Sequence, residues 1–129
     1  MSNCKCSTIS PDSTLIFCCA GASDLGAISE RAARELMRDK VGKMFCLDAI
    51  SAQEEDYLQK AKNACAILAI DGCKVHCAPK TLNREKIYGI VHLDINLWDL
   101  SKVNIHKVSD CAKELIAQST EIEQEGATK

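Results

Sequence analysis

The chain has 129 residues, 47% hydrophobic but only 4% aromatic, and a formal net charge of −2. That length suits one domain with a mostly aliphatic core, and the interspersed acids and bases leave no basic footprint for nucleic acid. No apolar stretch reaches the roughly 18 residues of a membrane span and no signal-peptide pattern opens the chain, so a cytoplasmic protein is expected.

Residues 1–13 read as a flexible tail carrying Cys4 and Cys6, 14–120 as a single domain, and 121–129 as a fraying C-terminal tail. TLIFCC (14–19) is a short apolar run ending in Ala-Gly-Ala-Ser, the pattern of a buried strand entering a turn. Ser23 suits the N-cap of a helix over about 24–39, with Leu25, Ile28, Ala32, Leu36 and Met37 on one face and Glu30→Arg34 as an i,i+4 pair. Gly21, Ser23 and Gly26 also have the makings of an anion-binding turn at that helix start. After Gly42, KMFCL (43–47) predicts a second strand, and Ser51-Ala-Gln-Glu54 has the form of a capping box before a helix with Leu58, Ala61 and Cys65 at helical spacing.

CAILAI (65–70) is apolar on both faces, which predicts a central parallel strand covered on each side. Residues 89–97 alternate Val91, Leu93, Ile95 and Leu97 with His92, Asp94 and Asn96, the mark of a half-exposed edge strand. A last helix is expected from near Val108, burying Cys111, Leu115, Ile116 and Ile122. Four strand–helix alternations predict a three-layer α/β domain with a four-stranded parallel sheet, and right-handed crossovers favour the strand order 2-1-3-4. That order opens a crevice at the C-terminal ends of strands 1 and 3, where both CCAGASD (18–24) and DGCKVHC (71–77) fall.

Nine cysteines are many for such a chain, and the odd count fits a disulfide scaffold poorly. In a reducing compartment, clustered thiols point to metal binding or thiol chemistry. Cys73 and Cys77, four positions apart, share a face if helical; Cys19 leaves strand 1 beside them, and Cys46 can arrive from strand 2. Four convergent thiolates suit tetrahedral Zn²⁺, with Lys43, Lys74 or Lys80 offsetting their charge. The spacing leaves a redox pair and unconnected thiols open. Pro79 decides between two local structures: a helix from Lys74, which it would interrupt, or a turn over 73–78 with Pro79 opening a helix over 79–86. A phosphatase-type cysteine loop is excluded, because the arginine needed six residues after the nucleophile is Leu25 after Cys19 and Pro79 after Cys73.

Over most of residues 4–82 the chain resembles the DGC-domain proteins, named for the Asp-Gly-Cys that stands here at 71–73. The matching stretches are CAGASDLGAISERAARELMRDKVGKMFCL (19–47) and ILAIDGCKVHCAPKTL (67–82), with CKCS (4–7) as a similar lead-in. The resemblance implies a zinc-binding protein whose four characteristic cysteines fall on Cys19, Cys46, Cys73 and Cys77, and it brings no established reaction. Asp71, Ser23 and His76 are candidate supporting residues, with His76 pointing to solvent the plainer reading. Cys4 and Cys6 are candidates for a further ion, and Cys18, Cys65 and Cys111 read as core thiols. His92 and His106 read as surface residues without partners.

The expected cofactor is Zn²⁺, with iron or an iron–sulfur cluster able to use the same sulfurs. Four thiolates would close the coordination shell, which argues against hydrolysis, and the role would be structural or in metal handling and sensing. The alternative is a thiol–disulfide or persulfide protein in which Cys73 attacks and Cys77 or Cys19 resolves. A third reading is a binding module whose metal shapes a partner surface. Beyond the metal ion, the sequence names no protein partner.

Overall fold

A computed structural model describes residues 14–19, 24–98 and 103–127. In chain order its elements are β1 (Thr14–Cys18), α1 (Asp24–Arg38), β2 (Lys43–Met44), α2 (Leu47–Ser51), α3 (Glu55–Lys62), β3 (Ala66–Asp71), α4 (Cys77–Arg84), β4 (Ile90–Asp94), a 3₁₀ turn (Ile95–Leu97) and α5 (Ile105–Ala127). The four strands form one parallel sheet in the order β2-β1-β3-β4, as expected. No helix among the described residues is long and apolar enough to cross a membrane.

The two-residue period of the strands divides the core in two. Leu15 and Phe17 of β1 and Ile67 and Ala69 of β3 face α2, α3 and α4, where Ile50, Leu58, Ala61 and Leu82 cover them. Ile16, Leu68 and Ile70 point the other way, onto Ala32, Ala33 and Leu36 of α1 and Val108 and Ala112 of α5. Every residue of β3 is buried, which explains its unbroken apolar run. The predicted Glu30–Arg34 pair forms at 3.5 Å, but both side chains are exposed, so it adds little stability.

Several boundaries differ from expectation, each for a local reason. β2 stops at Met44, and Phe45 adds one further bond to Ile16 O (2.9 Å) before the chain turns into α2. Cys46 is therefore the N-cap of α2, not a strand residue. The capping box does not form. Ser51 ends α2 and accepts from Arg84 through its Oγ (3.4 Å), while Glu54 is the N-cap of α3. The alternation of residues 89–97 ends at Asp94, whose carboxylate accepts the Asn96 N–H at 2.9 Å and turns the chain into the 3₁₀ turn. α5 begins three residues earlier than expected.

The C-terminal strand ends form one edge. Cys19 follows β1, Asp71 ends β3 directly opposite Asp94 of β4, and Cys46 lies two residues past β2. The fold thus delivers three chain segments to the switch point between β1 and β3.

Candidate metal centre

The Asp71-Gly72-Cys73 turn packs against the first turn of α1, and Gly72 makes that approach possible. A β-carbon on Gly72 would sit 2.2 Å from Leu25 O. With no side chain in the way, the Gly72 N–H donates to Cys19 Sγ at 3.1 Å. That bond fixes the end of β1 to the end of β3.

The following loop resolves the Pro79 question in favour of a turn, with the helix starting two residues earlier than proline at N1 would require. Residues 73–76 form the turn and α4 starts at Cys77, so Pro79 is the third helical residue. Its missing N–H belongs to the set that has no partner in a first turn, so no interior bond is lost. The first helical bond is Lys80 N–H to His76 O at 3.2 Å. His76, the N-cap, has φ 60° and ψ 54°, a left-handed conformation that costs a non-glycine residue about 1–2 kcal/mol. Asn96 braces the turn by donating to Cys73 O at 2.7 Å.

Within this frame Cys73 and Cys77 hold their sulfurs 3.3 Å apart, and the Cys77 N–H donates to Cys73 Sγ at 3.4 Å. The Cys73 thiol faces Asp71 Oδ1 at 3.7 Å as well as Cys77 Sγ, with which it shares the sulfur–sulfur hydrogen bond. That bond, followed by burial, pushes the Cys77 thiol above its ordinary value. Burial raises Cys19 despite the offsetting N–H of Gly72. Both thiols are thus held protonated without metal, and an incoming cation must displace those protons.

Cys19, Asp71 and Cys73 place one ligand atom each within 4.8 Å of one another, a grouping that could hold a metal ion. Cys19, Cys46 and Cys77 share a cavity of about 380 Å³, also lined by Cys18 and Glu30. Cys46 is exposed and joins neither ligand grouping found among the described residues. Its sulfur makes no capping bond. Cys4, Cys6, Gly21 and Ser23 lie outside the described residues.

Two histidines change the picture. His76 is half-buried, and its Nδ1 lies 3.2 Å from Asp71 Oδ2 and 3.6 Å from Asp94 Oδ2, which corrects the expectation that it points to solvent. His92 reaches the same Asp71 oxygen with Nε2 at 2.9 Å, which corrects the reading of a residue without a partner. The signal for His92 was its parity. It stands opposite Ala69 and two residues before Asp94, on the face of the sheet that carries Asp71. His106 does lie at the surface, paired with Glu35 at 3.0 Å. Of the cysteines read as core thiols, Cys111 is half-buried against the α1/α5 face, whereas Cys65 is half-buried and disulfide-bonded, which corrects the reading of it as a free thiol.

Cys18 packs against the α1/α5 face, and burial together with Glu30 raises its thiol from 9.0 to about 11. Below pH 9 both folded and unfolded chains keep this proton. Above pH 9 the unfolded chain ionises first, so stability falls until about pH 11, by about 1–2 kcal/mol after discounting for partial exposure. Urea midpoints at pH 8.5 and 10.5 test this: Cys18→Ala should flatten the decline, and an equal decline in that variant contradicts it.

The chain is 28% identical over 95 residues, 72% of each protein, to the anaerobic and virulence modulator AnvM of Pseudomonas aeruginosa. No solved structure matches. The DGC domain profile matches residues 15–124, and the chain therefore belongs to the DGC domain family.

Proposed function

We propose that the protein binds zinc through Cys19, Cys46, Cys73 and Cys77 at the C-terminal edge of the sheet, in a structural role or in metal handling and sensing. The observation that carries this reading is the convergence of Cys19 with the Cys73–Cys77 pair beside the buried Asp71. Two thiolates on one tetrahedral zinc stand about 3.8 Å apart, so the 3.3 Å pair needs only a small opening to accept the ion. Cys46, exposed and lining the same cavity as Cys19 and Cys77, is the ligand that would close the shell. The zinc would supply a positive centre tying together the ends of β1, β2 and β3. A sensing role is in keeping with a relative described as a modulator.

The test is thiol accounting on protein purified without added metal. One sulfur-bound zinc per chain is expected, with four thiols becoming reactive on chelation. A thiol count that chelation does not change overturns the reading. The 3.3 Å separation also favours a second reading, in which Cys73 and Cys77 form a disulfide, passing two electrons and two protons to an acceptor disulfide. Metal-free protein with a Cys73–Cys77 bond would establish it in place of the first.

A further inference from the structure

We propose that Asp71, His76 and His92 form a second site, for a divalent transition-metal ion, that uses no sulfur. It goes beyond the thiolate reading and does not depend on it. The three donor atoms lie within 4.8 Å of one another, and both imidazoles converge on one oxygen, with Asp71 Oδ2 3.2 Å from His76 Nδ1 and 2.9 Å from His92 Nε2. Two nitrogen or oxygen ligands of one tetrahedral zinc stand about 3.3 Å apart, and the two Asp71–imidazole distances are close to that spacing. Two imidazoles and a carboxylate suit Zn²⁺ or Fe²⁺ and leave positions for water or an exchangeable ligand.

Three further observations favour an ion over hydrogen bonds alone. Asp71 is fully buried, and among the described residues its only ion-pair partners are these two histidines, so its charge has no lysine or arginine to balance it. The His76 and His92 side chains are 39% and 32% exposed, which leaves an entry path on the side away from the core. His76 reaches the carboxylate from a left-handed backbone conformation that the Asn96–Cys73 bond holds in place. The other oxygen, Oδ1, faces Cys73 Sγ at 3.7 Å, so one carboxylate separates a sulfur donor set from an imidazole set.

The experiment is equilibrium dialysis of the full chain against Zn²⁺, repeated with Co²⁺ so that sulfur-bound metal shows its charge-transfer absorption. His76→Gln, His92→Gln and Asp71→Asn should each weaken one equivalent at least about 100-fold, with any Co²⁺–sulfur absorption retained. Cys46→Ser, if it removes that absorption, should leave the histidine-dependent equivalent in place. Far-UV circular dichroism confirms that each variant is folded. The proposal is overturned if both histidine variants bind as much metal, as tightly, as the unaltered protein, whatever that amount is. It is overturned equally if the equivalent they lose carries the sulfur absorption.

Discussion

Gly72→Ala is expected to cost about 3 kcal/mol or more, at the upper end of what inserting an atom into packed structure costs. The added β-carbon would lie 2.2 Å from Leu25 O, 2.3 Å from Leu25 C and 2.6 Å from Gly26 N. All three are backbone atoms at the start of α1, so no side-chain rotation relieves the overlap. The turn must lift, which draws the Gly72 N–H away from Cys19 Sγ and moves Cys73 with it. For a chain of this size the loss corresponds to a fall in melting temperature of about 10 °C or more, and the affinity of the proposed zinc site should fall with it. Gly89→Ala is the control. Gly89 has φ +75° but nothing within 4 Å of a β-carbon, so only the backbone penalty of about 1 kcal/mol applies. Paired thermal melts of the two variants check the prediction, and equal melting temperatures contradict it.

The same glycine shows what the sequence could and could not reveal. The apolar run of β3, the short apolar β1 and the alternating β4 set the sheet order, because burial on one or two faces leaves a direct trace in residue pattern. The switch point then followed from topology, and with it the neighbourhood of Cys19 and Cys73. What could not be read was fine placement. Whether Cys46 belongs to a strand or to the cap of α2 depends on one hydrogen bond past Met44, and nothing in KMFCL marks where pairing ends. Ser51 and Glu54 had capping-box spacing, but Leu47–Ser51 forms its own short helix and uses Ser51 as its end.

The pairing of the two histidines with Asp71 was missed for a different reason. Alternation on an edge strand assigns polar residues to solvent, yet β4 runs beside a strand that ends in a buried carboxylate. Where the neighbouring strand carries Asp71, the polar face of β4 has a partner, and His92 meets it while Asp94 braces the next turn. His76 needed more than pattern. A left-handed residue at a helix N-cap is not signalled by its type, and only the folded turn shows that His76 faces Asp71.

The arrangement predicts an asymmetry between the carboxylate and its partners in metal-free protein. Removing both imidazoles by His76→Ala with His92→Ala leaves the Asp71 carboxylate inside the fold without its two imidazole hydrogen-bond partners, a situation that costs several kcal/mol for a fully enclosed charge. Both rings are partly exposed, so water will replace some of the lost interaction, and the expected loss is about 2–3 kcal/mol. Each single substitution should cost less than half of this, because the remaining imidazole still donates to Oδ2, so the pair is non-additive. Asp71→Asn should behave in the opposite way. It removes the charge that needed compensation while keeping the shape of the side chain, so alone it should change stability by less than about 1 kcal/mol. Added to the double histidine variant, it should restore most of the loss. Urea unfolding at neutral pH with a chelator present measures the whole cycle. A double variant as stable as the unaltered protein, or a failure of Asp71→Asn to rescue it, would show that the histidines do not stabilise the Asp71 carboxylate. A rescue would show that they do.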